Sequence, residues 1–449
     1  MPAESEEPRT LTELPSRPPP AAGQERTSSL AHGWRALRHR NFQLFFAGQG
    51  ISVIGTWMTR MATSWLVYRL TGSALLLGIV SFASQIVPFV FQPIAGVWVE
   101  RLDRRKLLLW TQAAACLQSL ALAALTLGGI ITIWEIIALN ALQGFINAFD
   151  TPGRQSFLIQ MVEDRTDLSN AIALNSAMTN GARLLGPAIA GVVIAAVGEG
   201  WCFLIDGVSY FAVIASLVLM HITPREIRRR ATTMLEEMRE GWDYVRSFTP
   251  IRSILLLFCV TSLMGYPYMV LLPIFAGRVL HGGAHTLGWL TAASGAGALV
   301  SAVSLALRRT IVGLTRMIQL STGVLGVALI LFGLSHTLWL SLLLMPLAGF
   351  GLFQTAAASN TIIQTLVPED KRARIMSYYA MAFYGSAPFG SLLAGTLAQR
   401  IGAPETIIVT GSCCILGAFW FTLELPRARA MMRPIYQEMG LLPSPQLER

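Results

Sequence analysis

Long apolar runs separated by short polar connectors set the pattern of this chain. Read for stretches of about 20 mostly apolar residues, it predicts twelve membrane-spanning helices. These lie at 42–69, 74–98, 106–127, 131–151, 170–196, 201–221, 252–277, 285–307, 313–335, 338–360, 375–398 and 403–424. What remains is a tail (1–34), a long connector (222–251) and a C-terminal tail (425–449). The first tail is rich in Pro, Glu and Ser and cannot bury enough apolar surface to fold alone. No apolar core follows a basic start within its first 30 residues, so it does not read as a secretory signal. In the connector, Leu235, Met238, Trp242 and Val245 recur at helical spacing above a charged reverse face. That pattern predicts an amphipathic helix along the membrane surface, linking two halves.

Composition strengthens the membrane reading. Of the 449 residues, 53% are apolar and only 13% charged, against about 25% charged in soluble domains. A soluble surface cannot be covered with so little charge, which argues against a cytosolic enzyme or a disordered protein. A net charge of +9 raises the alternative of a nucleic-acid partner, for which the basic residues should form a stripe on a polar domain. They do not. Twenty-five Lys and Arg residues flank the spans on one side, and only Arg69, Arg278 and Arg400 on the other. The positive-inside rule then places both termini and the long connector in the cytoplasm, which an even number of spans requires. The basic balance reflects topology and implies no nucleic acid.

The chain also repeats itself. Leu70-Thr71-Gly72-Ser73-Ala74-Leu75-Leu76-Leu77-Gly78 aligns without a gap to Leu280-His281-Gly282-Gly283-Ala284-His285-Thr286-Leu287-Gly288, with five of nine residues identical. Gly55 and Gly265 share the offset of 210. Residues 159–165 resemble 363–372, and each is followed by a Gly/Pro-rich span, 186–191 and 387–395. Two six-helix halves with the same orientation follow: 35–221 and 252–424, joined by 222–251. A parallel pair of bundles with a midplane cavity suits alternating access.

The loop after the second predicted span reads Gly96-Val97-Trp98-Val99-Glu100-Arg101-Leu102-Asp103-Arg104-Arg105-Lys106. It resembles the signature loop of the major facilitator superfamily, with Glu100 in place of Asp and Asp103 where Gly is usual. The resemblance implies an all-α fold of twelve transmembrane helices in two parallel-repeated six-helix bundles. It further implies a conformational latch of Gly96, Glu100, Arg101, Arg104, Arg105 and Asp150, with Arg104 paired to Asp150. Gly96 would let two helices approach closely. Asn180-Gly181-Ala182-Arg183-Leu184-Leu185-Gly186-Pro187-Ala188-Ile189-Ala190-Gly191 is similar to the antiporter motif of exporters in this superfamily, carried on Gly181, Gly186, Pro187 and Gly191. Phe203-Leu204-Ile205-Asp206-Gly207 adds a resemblance to the enterobactin exporter-like subgroup of bacterial efflux proteins. One position departs: Asn140, three residues before Gln143-Gly144, stands where the superfamily often has a proton-linked Arg.

Only four charges fall well inside the predicted spans: Arg60, Glu135, Arg183 and Asp206. Each costs at least about 2.5–3.5 kcal/mol near the bilayer centre, so such groups face the bundle interior and tend to pair. Arg183 and Asp206, on adjacent helices, are expected either as a breakable pair that carries a proton on Asp206, or as a permanent structural pair. Glu135 beside Trp134 reads equally as a pathway residue or as an interface residue. Tyr266, Gln354, Asn360 and Tyr384, with Trp57, Trp65, Phe383, Tyr268 and Tyr379, are candidates to line the cavity, although packing roles outnumber ligand contacts for such residues. Pro267 and Pro273 are candidate hinges.

The expectation is a secondary active transporter of the inner cell membrane. It would export small amphipathic or siderophore-like compounds against protons, as a monomer in the lipid bilayer. An importer or facilitator of a small solute is the alternative. No cofactor or metal is implied. The five cysteines all lie within spans and read as packing residues. The six histidines are scattered, and no zinc-protease helix, nucleophile elbow or phosphate loop is present. The chain is therefore not read as an enzyme or an ATP-driven pump.

Overall fold

Backbone amides find no water in a bilayer core, so apolar runs of this length must close their own hydrogen bonds as helices. The computed structural model of the chain describes residues 35–162, 167–220, 234–308 and 310–441, and they are almost wholly helical. The first six helices are α1 (Arg40–Thr71), α2 (Ala74–Arg101), α3 (Arg104–Leu127), α4 (Ile133–Met161), α5 (Leu168–Val197) and α6 (Glu199–Leu219). A short helix, α7 (Met234–Ser247), precedes the second set. That set comprises α8 (Thr249–Val279), α9 (Ala284–Ala306), α10 (Leu314–Gly333), α11 (Leu338–Leu366), α12 (369–401) and α13 (Ala403–Glu438). Among the described residues, nine of these contain stretches long and apolar enough to cross a membrane. The predicted tail 1–34 lies outside the described residues, as do the side chains of Glu100, Arg101, Leu235 and Met238.

Local chemistry explains the ends. Gly72 adopts a left-handed φ of 58° and donates its N–H to the Tyr68 carbonyl at 2.7 Å, closing α1. Ser73 then caps α2, its Oγ accepting the Leu76 N–H at 3.3 Å. Asp103, the departure from the superfamily loop, caps α3 by accepting the N–H groups of Arg105 and Lys106 at 2.9 and 3.2 Å. α8 contains two widened, π-type turns, Thr261–Gly265 and Phe275–Val279, with Pro267 and Pro273 between them. α12 has a third at Met381–Gly385. Such turns are frequent at functional sites.

Two helices outrun their predicted ends by far the most. α4 continues to Met161, past the expected 151, and α13 to Glu438, past 424. In α13 the reason is a buried stripe of Leu425, Ala428, Met432 and Tyr436, at near-helical spacing, packed with Val245 of α7 and Leu314 of α10. The C-terminal tail therefore begins as helix. α7 packs against α12: Gly241 lies beside Tyr378, Trp242 and Tyr378 rings stand 6.0 Å apart, and Glu240 pairs with Arg374.

Helices α1–α6 pack among themselves, chiefly α1 with α5 and α6, α2 with α4, and α3 with α4 and α6. In the second set the main neighbours are α9 with α11, α10 with α11 and α13, and α8 with α13. Close glycine crossings recur within each set. A β-carbon on Gly144 of α4 would sit 2.7 Å from the Ser84 carbonyl of α2, and Gly349 of α11 is pressed still more closely on the Ser294 carbonyl of α9. Gly198 and Gly402, both with φ near 100° (94° and 100°), turn α5 into α6 and α12 into α13.

The two sets meet through α2 with α12 and α5 with α9. A β-carbon on Gly78 would lie 2.7 Å from the Ser391 carbonyl, and one on Gly191 3.1 Å from the Gly288 Cα. Ser81 donates to Ser391 at 3.1 Å, and Ser73 to Gln399 at 3.2 Å. Arg278 donates to the Gly72 carbonyl at 2.8 Å. All these contacts sit towards the end that carries the α1–α2 and α12–α13 turns. Past Phe89 and Gly385 no glycine crossing or hydrogen bond joins the sets among the described residues. Val90, Ile94 and Trp98 of α2 are exposed there, at 52%, 52% and 57%. The molecule is closed at the first end and parted at the other.

Candidate functional site

Between the two sets, below the closed end, lies a cluster of guanidinium groups and aromatic rings. Trp57 and Arg60 come from α1, Arg183 from α5, and Phe353 from α11. The Arg183 guanidinium lies 3.9 Å from the Phe353 ring centre and 5.1 Å from that of Trp57, while Arg60 sits 5.0 Å from Trp57. Arg183 thus reaches across from one set to the other. Tyr266, Tyr268, Tyr384 and Arg60 are its electrostatic neighbours. Neither arginine makes an ion pair among the described residues. Cation–π contacts offset part of the cost of removing a guanidinium from water, by up to about 2 kcal/mol each. The Arg183 Nε has no hydrogen-bond partner.

Gly186 places this helix. A β-carbon there would fall 2.5 Å from Trp57 Cβ, so only glycine lets α5 close on α1 at this level. One turn further, Gly191 faces α9. The Gly181 position, by contrast, borders open space, and nothing lies within 4 Å of a β-carbon there. The antiporter-like stripe therefore divides between an α1 contact and the seal to the second set, with Gly181 in neither.

Asp206 lies one helix away. It is 1% exposed, in the core of the first set. Its Oδ2 accepts the Ser119 hydroxyl at 2.9 Å, and its Oδ1 has no hydrogen-bond partner. Gly55 clears room for it: a β-carbon would stand 2.8 Å from Oδ1. The Thr59 hydroxyl and the Arg60 guanidinium of α1 lie near the carboxylate. The expected pair with Arg183 is not formed. Asp206 turns towards α1 and α3, whereas Arg183 turns towards the cavity and Phe353.

Other expected residues are placed differently. Glu135 is a helix cap: its Oε2 accepts the Thr132 N–H at 2.8 Å and the Thr132 hydroxyl. It serves the start of α4 at the closed end, away from the cavity cluster. Gln354 is fully buried in the second set, accepting from Ser301 at 2.9 Å and contacting the Met317 sulfur at 3.3 Å. Asn360 accepts from Gln364 at 2.6 Å, one turn on. Tyr379 donates to the Ala356 carbonyl at 2.9 Å. Tyr266 and Tyr384 do face the cluster. Phe383 stands edge-on to both, at 5.6 and 5.2 Å.

The latch region also differs from its expected form. Asp150 is 3% exposed and pairs with Arg154 on its own helix, while accepting from Thr111 at 3.0 Å and Gln112 at 2.7 Å. Arg104 is not its partner in this conformation. Arg105 instead holds the end of α6, donating to the carbonyls of Leu217 at 2.8 Å and Val218 at 2.6 Å. Gly96 has nothing within 4 Å of a β-carbon, so no helix approaches it. All of these residues lie at the parted end of the molecule.

Sequence reasoning missed four of these partners. Arg154 was visible as an i, i+4 neighbour of Asp150. Thr59 belongs to a hydroxyl stripe, Thr56, Thr59 and Thr63, at helical spacing. Ser119 and Phe353 carry no local signal, because their meaning comes only from which helix they meet.

The fold and these sites match known transporters. Residues 31–445 match the family described as transmembrane secretion effector. The chain belongs to this family of major facilitator transporters. It is 27% identical to the staphyloferrin A transporter of Staphylococcus aureus over 383 residues, covering 84% of this chain and 95% of that one. It is 26% identical to the multidrug efflux pump Tap of Mycolicibacterium fortuitum over 395 residues, covering 86% and 94%. A crystal structure of the nucleoside transporter NupG superposes with a TM-score of 0.68 at 13% identity, over 86% of this chain and 99% of that one. The chain is a multi-pass membrane transporter of small molecules, and not an enzyme.

Proposed function

We propose that this transporter exports small amphipathic molecules, siderophore-like compounds among them, by alternating access in exchange for protons. All twelve long helices span the membrane in two six-helix halves, and both termini face the cytoplasm of a bacterial cell. The charge distribution supports this orientation: the parted end carries nearly all the basic flanks. The conformation described is then inward-facing, sealed outside by α2 with α12 and by α5 with α9. The names of the relatives support the substrate range, one being a siderophore transporter and another a multidrug efflux pump.

One observation carries the coupling. Asp206 is buried and keeps one carboxylate oxygen short of a well-formed hydrogen bond, with the Thr59 hydroxyl and Arg60 near it. Such an intramembrane acid is a proton relay by default. Opening and closing of the outer face alters the packing of α1 on α6 and so exposes Asp206 alternately. The test is uptake of a chemically diverse compound panel into inverted vesicles under an imposed proton gradient. Gradient-dependent accumulation of at least one compound class is expected, and none at all across the panel would refute export.

A facilitator is the second reading. Its support is Asn140, whose side chain donates to the Ile136 carbonyl at 2.8 Å where the superfamily often has a charged residue. Saturable exchange that ignores the gradient in the same vesicles would favour it.

A further inference from the structure

The charges and the rings of the cavity come from different halves. Both deep cations, Arg60 and Arg183, stand on α1 and α5. Tyr266, Phe383 and Tyr384 stand on α8 and α12, at the π-type turns Thr261–Gly265 and Met381–Gly385. Resting on the transport reading above, we propose that the substrate is an amphipathic anion with a flat conjugated body. Its acidic group is held by Arg60 and Arg183, and its ring system lies against Tyr266, Phe383 and Tyr384.

Three observations carry this. First, the two guanidinium groups share one indole: Trp57 has Arg60 at 5.0 Å and Arg183 at 5.1 Å from its ring centre. Stacking covers the faces of a guanidinium and leaves its N–H edge free, which is the edge that takes carboxylate or phosphate oxygens in pairs. Second, that edge is largely unfilled: the Arg183 Nη1 has only a long contact to Asn180 Oδ1, at 3.5 Å. No ion pair reaches either arginine among the described residues, and the buried Arg183 Nε has no acceptor. Asp206 attracts Arg60 without pairing with it. A buried donor with no acceptor is costly to keep, and an incoming anion satisfies it. Third, the opposite wall brings rings and hydroxyls but no charge. Phe383 stands edge-on to Tyr266 at 5.6 Å and to Tyr384 at 5.2 Å, with Phe258 stacked on it at 5.6 Å. Tyr384 is 51% exposed, open to a ligand. A cationic amphiphile meets two unscreened like charges here and is rejected by them.

The test is calorimetric titration of the purified full-length protein with three ligands of one shape: 2-naphthoate, 2-naphthamide and (2-naphthyl)methylammonium. Naphthoate is expected to bind at least tenfold more tightly than the amide, and the ammonium not measurably. Arg60→Gln and Arg183→Gln should each bring naphthoate down to the level of the amide. Arg60 is exposed, so its variant folds even if Arg183→Gln does not. Tyr384→Ala should weaken naphthoate severalfold while sparing cyclohexanecarboxylate, which has no ring face. Equal binding of the three ligands, preference for the ammonium, or binding of none overturns the proposal. The titration involves no gradient, so its outcome is independent of proton coupling. Naphthoate binding without gradient-driven transport would count against the exporter reading alone.

Discussion

The carboxylates of Asp150 and Asp206 are both almost fully buried, yet their surroundings differ in kind. Asp150 is saturated by Arg154, Thr111 and Gln112. Asp206 has Ser119 on one oxygen, while the other makes no well-formed hydrogen bond and has only the Thr59 hydroxyl near it. The first arrangement holds a structure together, and the second is suited to a proton. Arg154→Ala leaves a buried carboxylate without its counter-charge, at a cost of about 3 kcal/mol. The midpoint of thermal unfolding in detergent should fall clearly for Arg154→Ala and hardly at all for Arg104→Ala. Equal losses would restore Arg104 as the partner. At Glu135 the expected outcome is a slightly lower melting temperature for Glu135→Ala with unchanged transport, because the residue caps α4 and lines no cavity. A transport defect there would return Glu135 to the pathway. The sequence singled out four charges in its apolar runs, because an ionisable group there stands out by itself; of these Glu135 turned out to cap α4. It could not pair them. Arg183 and Asp206 sit on neighbouring helices, but their rotations about those helices point them apart, and rotation is fixed by contacts such as Gly186 on Trp57 that no single sequence reveals.

Helix order was legible for the same reason that membrane helices are simple: a run of apolar residues this long has no other way to satisfy its backbone. Helix ends were less so. α13 outran its prediction because Leu425, Ala428, Met432 and Tyr436 continue an amphipathic stripe beyond the apolar run, and the search was for apolarity alone. Helix crossings follow from glycines, and these make the seal testable. Ser73 and Gln399 are hydrogen-bonded across the two halves at the closed end. In a protein stripped of its five free cysteines, Ser73→Cys with Gln399→Cys should be joined efficiently by a short bifunctional thiol reagent. A pair at the parted end, Ile94→Cys with Met376→Cys, should not be joined. Bulk on the seal should reverse this bias. Gly191→Val forces side-chain atoms into the Gly288 backbone, so cross-linking at 73 and 399 should drop severalfold. Unchanged cross-linking in Gly191→Val would show that the seal is not built on this crossing.

At the scale of the molecule, two halves of one plan are closed at one end, parted at the other, and carry an arginine–aromatic cluster between them. The Arg183–Phe353 contact joins the halves at the level of the cavity, where a substrate would have to part or replace it. Arg104 and Asp150, the expected latch pair, form no ion pair here, at the parted end. Closing that face would bring helices towards Gly96, which now borders empty space. In the proposed cycle substrate is exchanged for protons, and Asp206 is the group assigned to carry the proton. The decisive measurement is proton flux in proteoliposomes preloaded with a pH gradient. Compounds accumulated by inverted vesicles should collapse the gradient in wild-type protein, and Asp206→Asn should abolish that collapse while still binding the same compounds. If Asp206→Asn dissipates the gradient as fast as wild type, Asp206 does not carry the proton and the coupling proposed here is wrong.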